Sequence, residues 1–253
     1  MLLTNGCSFV WGDELQGYDK SPPEHYHLTF THHLSNKLKT EYVNLATCGA
    51  CNDKIFRDTV DYLLDPTKEN PTHMVILWSA WQRDEAAENR VSGWEREVGI
   101  QRFQCMSQFS PARMHHIKPE LEEVLSPALE KMDVLRTKIT HHLSFMKSME
   151  LICDSLGIKL IQGSFHKRCW SNILLSTHPR FKKTDSPWTE WIEYTHKSLS
   201  SLKDTSRLGL GRYIDFYTFA ENDFKILEYG HPNEPAHEAW SQYLYDIFVK
   251  EFS

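Results

Sequence analysis

The run Thr72-His73-Met74-Val75-Ile76-Leu77-Trp78 constrains the fold more than any other segment. From Met74 to Trp78 it is apolar without interruption, so a strand built from it has no polar face to turn to water and must be covered on both sides. Strands of that kind belong to parallel sheets flanked by helices. Met1-Leu2-Leu3-Thr4, Tyr42-Val43-Asn44-Leu45-Ala46, Ile158-Lys159-Leu160-Ile161-Gln162-Gly163 and Tyr213-Ile214-Asp215-Phe216 supply further short strands. Helical spacing fills the intervals: Asn52 to Leu64 with Ile55, Val60, Leu63 and Leu64, and Leu129 to Leu156 closed by Gly157. Trp188 to Leu202 follows, and then Glu234 to Phe252, with Trp240, Tyr243, Leu244, Ile247 and Phe248 on one face. This alternation predicts a single α/β domain over residues 1–253, built as three α/β/α layers around a central, mainly parallel sheet. Around 85–128 charges, Trp94, Phe103 and Phe109 show no clean period, and an inserted helical cap is expected there.

A chain of 253 residues, 40% hydrophobic, holds enough apolar material for one large core. The formal net charge is −6 and the Lys and Arg residues are scattered among acids, so no basic stripe is available to a phosphate backbone and nucleic acid is not an expected partner. No apolar run approaches the roughly 20 residues that span a bilayer, and the first residues lack a charged segment followed by an apolar one. A cytoplasmic protein without a membrane span is the expectation. The six cysteines are expected to stay reduced, since a chain of this size does not depend on a disulfide framework.

In Asn5-Gly6-Cys7-Ser8-Phe9-Val10-Trp11-Gly12-Asp13 a serine stands where the first strand ends and a turn begins. Open α/β sheets bind ligands at the carboxyl ends of their strands, which makes Ser8 a candidate nucleophile as well as an ordinary helix cap. A general base is offered near the other end of the chain by Glu228-Tyr229-Gly230-His231-Pro232-Asn233. A carboxylate there can accept from one ring nitrogen of His231 and leave the other to take a serine proton. Gly49, in Asn44-Leu45-Ala46-Thr47-Cys48-Gly49-Ala50-Cys51-Asn52, is a turn glycine whose backbone N–H can approach an oxyanion closely.

Taken in chain order, these three segments resemble the first, second and last conserved blocks of the SGNH (GDSL-like) hydrolases. The resemblance implies an SGNH/flavodoxin-like fold and a cofactor-free, metal-free serine esterase or acylhydrolase, with a small-molecule or carbohydrate ester as substrate and acyl transfer as a variant. It casts Ser8 as nucleophile, His231 as base, Glu228 as the orienting acid, and the N–H groups of Ser8 and Gly49 as oxyanion donors. The sequence departs from the family after the buried strand, where Leu77-Trp78-Ser79-Ala80-Trp81-Gln82-Arg83 lacks the family's Gly-x-Asn. Asn52 is then the candidate side-chain donor, with Ser79 and Arg83 as further candidates, and Trp78 and Trp81 are placed on the rim as aromatic faces for substrate.

Two other functions compete. A scaffold lacking one oxyanion donor can serve as a non-catalytic binding or structural module. Cys48-Gly49-Ala50-Cys51 has the spacing of a dithiol oxidoreductase at a helix N-terminus. The histidine pairs His115-His116, His141-His142 and His231 with His237 lack the helical spacing with a nearby acid that a zinc site requires, and no metal is expected.

Overall fold

The computed structural model describes residues 1–15, 25–79, 83–88, 102–107, 134–164, 214–228 and 230–252. Its elements run β1 (Leu2–Gly6), α1 (Ser8–Trp11), α2 (Phe30–Leu38), β2 (Tyr42–Asn44), α3 (Asn52–Leu64), β3 (His73–Trp78), β4 (Arg83–Glu88), β5 (Arg102–Ser107), α4 (Val134–Leu156), β6 (Lys159–Ser164), β7 (Ile214–Asp215), α5 (Phe216–Asp223) and α6 (Glu234–Phe252). Five strands form one all-parallel sheet in the order β2-β1-β3-β6-β7. The continuous apolar run is thus the central strand, with Met74 to Trp78 buried.

Strand periodicity sorts side chains between two helical layers. On β1, Thr4 Oγ1 shares a 2.9 Å hydrogen bond with Thr31 of α2, whereas the Asn5 amide, one residue on, donates to the Ile55 carbonyl and Thr59 Oγ1 of α3. On β3, His73 meets Phe248 of α6 edge-on, and Met74 faces Cys153 of α4. Helices α2 and α6 therefore cover one face, and α3 and α4 the other. The apolar stripe of α6 buries Trp240, Leu244, Ile247 and Phe248, with Tyr243 at its exposed edge.

Part of the expected helical cap is instead a β-ribbon. Within the stretch around 85–128, the described residues belong to β4 and β5, which pair antiparallel with Ala87 opposite Phe103 and Glu85 opposite Cys105. Cross-strand pairing decides such segments, and local composition does not encode it. The rest of that stretch and the expected helix from Trp188 to Leu202 lie outside the described residues.

The strand order places a crevice. The chain moves from β1 outward to β2 and then crosses back to β3, so the connections leaving the carboxyl ends of β1 and β3 diverge at that point, the usual ligand position of doubly wound sheets. Ser8 follows β1, the segment to Asn52 follows β2, and Ser79 follows β3. Gly6 closes β1 against its neighbours: a Cβ there would stand 2.8 Å from the Leu77 carbonyl and 2.4 Å from Val10 Cγ2. Gly6→Ala is expected to destabilise the fold by about 1–3 kcal/mol, because the carbonyl is backbone and cannot step aside. Denaturant midpoints of the two proteins measure this, and an unchanged midpoint would show that the β1 turn has slack.

Candidate active site

Ser8 is held by a short turn with little freedom. The Asn5 carboxamide oxygen accepts the Gly6 N–H at 2.7 Å, fixing the end of β1. Cys7 carbonyl then accepts from Val10 and Trp11, and Ser8 carbonyl from Gly12 and Asp13, all at 3.0 Å. These bonds wind residues 8–11 into one helical turn that Gly12 ends at φ +86°. A Cβ on Gly12 would meet Thr29, Leu15 and His25, so both the backbone angle and the space call for glycine.

His231 arrives from a hairpin-like loop. Leu227 N–H donates to the His231 carbonyl at 2.8 Å, Gly230 N–H donates to the Leu227 carbonyl at 3.0 Å, and Ile226 bridges to Pro232. The ring lies against Phe9, centroids 4.8 Å apart, and its Nε2 stands 2.8 Å from Ser8 Oγ. Ser8 and His231, 223 positions apart, are both buried and in direct hydrogen-bond contact.

The carboxylate on the other ring nitrogen belongs to Glu14. Its Oε2 lies 2.6 Å from His231 Nδ1 and also accepts the His231 backbone N–H at 3.2 Å. Glu228, the acid proposed from sequence, is exposed instead. Its separation of three residues from His231 is taken up by the turn through Leu227 and Gly230, which carries position 228 outward. Glu14 adopts φ +66°, a left-handed conformation uncommon outside glycine, and its side chain is only 5% exposed. Backbone held in this region persists where surrounding bonds over-determine it, often at functional sites. The sequence signal was present in Gly12-Asp13-Glu14: a glycine ending the serine's turn, followed at once by two acids.

A carboxylate can only accept, so the bond to Glu14 puts the ring proton on Nδ1 and leaves the Nε2 lone pair for the Ser8 hydroxyl. Among the described residues the N–H groups of Ser8 and Gly49 have no hydrogen-bond acceptor. Gly49 has φ +79°, and among the described residues beyond its chain neighbours nothing stands within 4 Å of where its Cβ would be.

Asn52 is buried at the start of α3, and its amide clamps the end of β3: Oδ1 accepts Ser79 N–H at 2.7 Å and Nδ2 donates to the Ser79 carbonyl at 3.0 Å. Ser79 is itself buried, tied through its backbone. Trp78 is not on the rim. It is fully buried, with Nε1 donating to Gln162 at 2.9 Å and the ring edge-on to His142, because the alternation of β3 points it at α4. Trp81 lies outside the described residues, and Arg83 begins β4. Cys51 is buried and Cys48 exposed, neither in a disulfide, and the Cys48 S–H donates to Asp13 Oδ2 at 3.4 Å. Among the described residues no three His, Cys, Asp or Glu side chains are grouped as metal ligands, and no helix is long and apolar enough to cross a membrane.

No protein-family model and no curated protein matches the chain. Among solved structures it is similar to a psychrotrophic esterase from Pseudoalteromonas sp., at 11% identity over 98% of this chain and 96% of that one, TM-score 0.47. A lipase from a goat rumen metagenome is similar at 12% identity over 97% and 96%, TM-score 0.47. A member of the lipolytic G-D-S-L family from Veillonella parvula is similar at 14% identity over 99% and 97%, TM-score 0.42.

Proposed function

We propose that the chain is a serine ester hydrolase with Ser8 as nucleophile, His231 as general base and Glu14 as the acid that orients it. The observation that carries this reading is the unbroken relay from Ser8 Oγ through both nitrogens of His231 to Glu14, at 2.8 and 2.6 Å. Ser8 Oγ attacks the ester carbonyl while Nε2 takes its proton, and Glu14 accepts from Nδ1 and balances the imidazolium. The N–H groups of Ser8 and Gly49 receive the tetrahedral oxygen. Nε2 then gives its proton to the departing alcohol. Water, deprotonated by the same nitrogen, attacks the acyl-serine and releases the acid. An alcohol taking the place of that water makes the reaction an acyl transfer.

Asn52 serves this site as a positioning residue, fixing the start of α3 to the end of β3 around Gly49. Labelling with a fluorophosphonate tests the proposal without knowledge of the substrate, because only an activated serine forms a stable adduct at low reagent concentration. The expected result is one adduct, on the peptide carrying Ser8, absent from Ser8→Ala. No adduct, or an adduct on another serine, would reject the hydrolase in favour of a binding module on the same scaffold.

A further inference from the structure

Resting on the hydrolase reading, we propose that Asp13 sets leaving-group specificity, admitting esters of neutral, hydroxyl-rich alcohols and rejecting esters whose alcohol carries a negative charge. Two adjacent acids reach His231 and do different things. Glu14 is 5% exposed and engages Nδ1, whereas Asp13 is 30% exposed and its Oδ2 lies 3.8 Å from Nε2. Nε2 is the atom that must return its proton to the departing alkoxide, so the leaving oxygen has to come within about 3 Å of it. Asp13 therefore borders the place that the leaving oxygen has to occupy.

The Asp13 carboxylate keeps acceptor capacity for a ligand. Its Oδ1 takes the Glu14 N–H at 3.2 Å, and its Oδ2 takes the Cys48 thiol at 3.4 Å, a weak donor that a hydroxyl outcompetes. A hydroxyl adjoining the ester oxygen, as in a sugar or glycerol, can donate to Oδ2 while the ester oxygen faces Nε2. A carboxylate or phosphate in that place meets a like charge in a partly desolvated crevice, where repulsion is less screened than in bulk water. The protein's net charge of −6 acts in the same direction at longer range.

The test compares kcat/KM for glycerol monoacetate, propyl acetate and 3-acetoxypropanoate in the wild type and in Asp13→Asn, which retains the Oδ1 acceptor for Glu14. The wild type is expected to prefer glycerol monoacetate to 3-acetoxypropanoate by tenfold or more beyond any difference seen in alkaline hydrolysis. Asp13→Asn should compress that ratio about tenfold, chiefly through gain on the anionic ester. Turnover that depends on Ser8 with the same ratio in both proteins overturns the role of Asp13 alone. Absence of any Ser8-dependent turnover overturns the hydrolase reading and this inference with it.

Discussion

Glu14→Gln is expected to lower kcat for a short p-nitrophenyl ester by about 1,000- to 10,000-fold with little change in KM, while Glu228→Gln stays within about twofold of wild type. Glutamine fits the same space, but its amide can present N–H to Nδ1. The ring then accepts there and carries its proton on Nε2, where it cannot serve as a base for Ser8. The imidazolium formed during attack also loses its buried counter-charge, which acts at 2.6 Å in the wild type. Glu14→Asp keeps the charge and tolerates the left-handed backbone, yet stops one methylene short, so intermediate activity is expected. Ser8→Ala and His231→Ala should each remove about as much activity as the double variant, since the residues act as a unit. Thermal unfolding of each variant separates lost chemistry from lost folding. Wild-type kcat in Glu14→Gln would show that the contact is structural and that another group orients the ring.

The sheet was legible because burial on both faces leaves an unambiguous trace: Met74 to Trp78 could be read as a central strand from composition alone. The bounds of Asn52–Leu64 and Glu234–Phe252 were equally plain, since an amphipathic stripe and a polar start define each helix locally. Asn233 marks the second of these starts by accepting the Ala236 N–H. Ser8, His231 and Gly49 stand out in the sequence because each sits at a punctuation point, a strand end or a glycine turn.

Glu14, the carboxylate in contact with His231 Nδ1, does not stand out in the same way. Its partner lies 217 positions away, and sequence proximity to His231 favoured Glu228. Only the backbone path distinguishes the two acids: Glu228 is exposed beside the bond from Gly230 N–H to the Leu227 carbonyl, and the left-handed kink at Glu14 brings the other in. Trp78 failed on the same ground in miniature. Its place at the end of a strand suggested the crevice, but the pleat sends it beneath the sheet to Gln162 and His142. The β4–β5 ribbon has no local signature at all, being defined by pairing between two segments that are individually polar or mixed.

A second large effect is expected on stability, which should fall steeply as pH drops below about 6.5. His237 is buried in α6, and its Nδ1 accepts the Phe30 N–H at 3.2 Å, satisfying a donor at the start of α2 from 207 residues away. The ring is stacked on Phe30 and meets Phe216 edge-on, and its Nε2 has no hydrogen-bond partner among the described residues. Burial, with smaller contributions from His33, His231 and His25, pushes its pKa down from 6.5 to about 3. A histidine depressed in the fold is protonated first in the unfolded chain, so the unfolded state binds more protons between these values and stability rises with pH there. The contribution is complete above about pH 6.5 and disappears as pH falls toward 3. For His237 alone this amounts to about 3 kcal/mol between pH 6.5 and 4, a large share of the 5–15 kcal/mol typical of a domain. His73, pushed down to about 4 by burial and by the nearby Lys159 and N-terminal ammonium, and His142, lowered by burial and His141, add to the same slope. Denaturant midpoints measured from pH 8 to pH 4 should trace this fall in the wild type. His237→Asn supplies an acceptor near the position of Nδ1 and does not titrate, so its stability should be flatter with pH by about 3 kcal/mol over that acid range. A variant with the wild-type slope would mean that His237 is already protonated in the fold, and that the bond to Phe30 is made some other way.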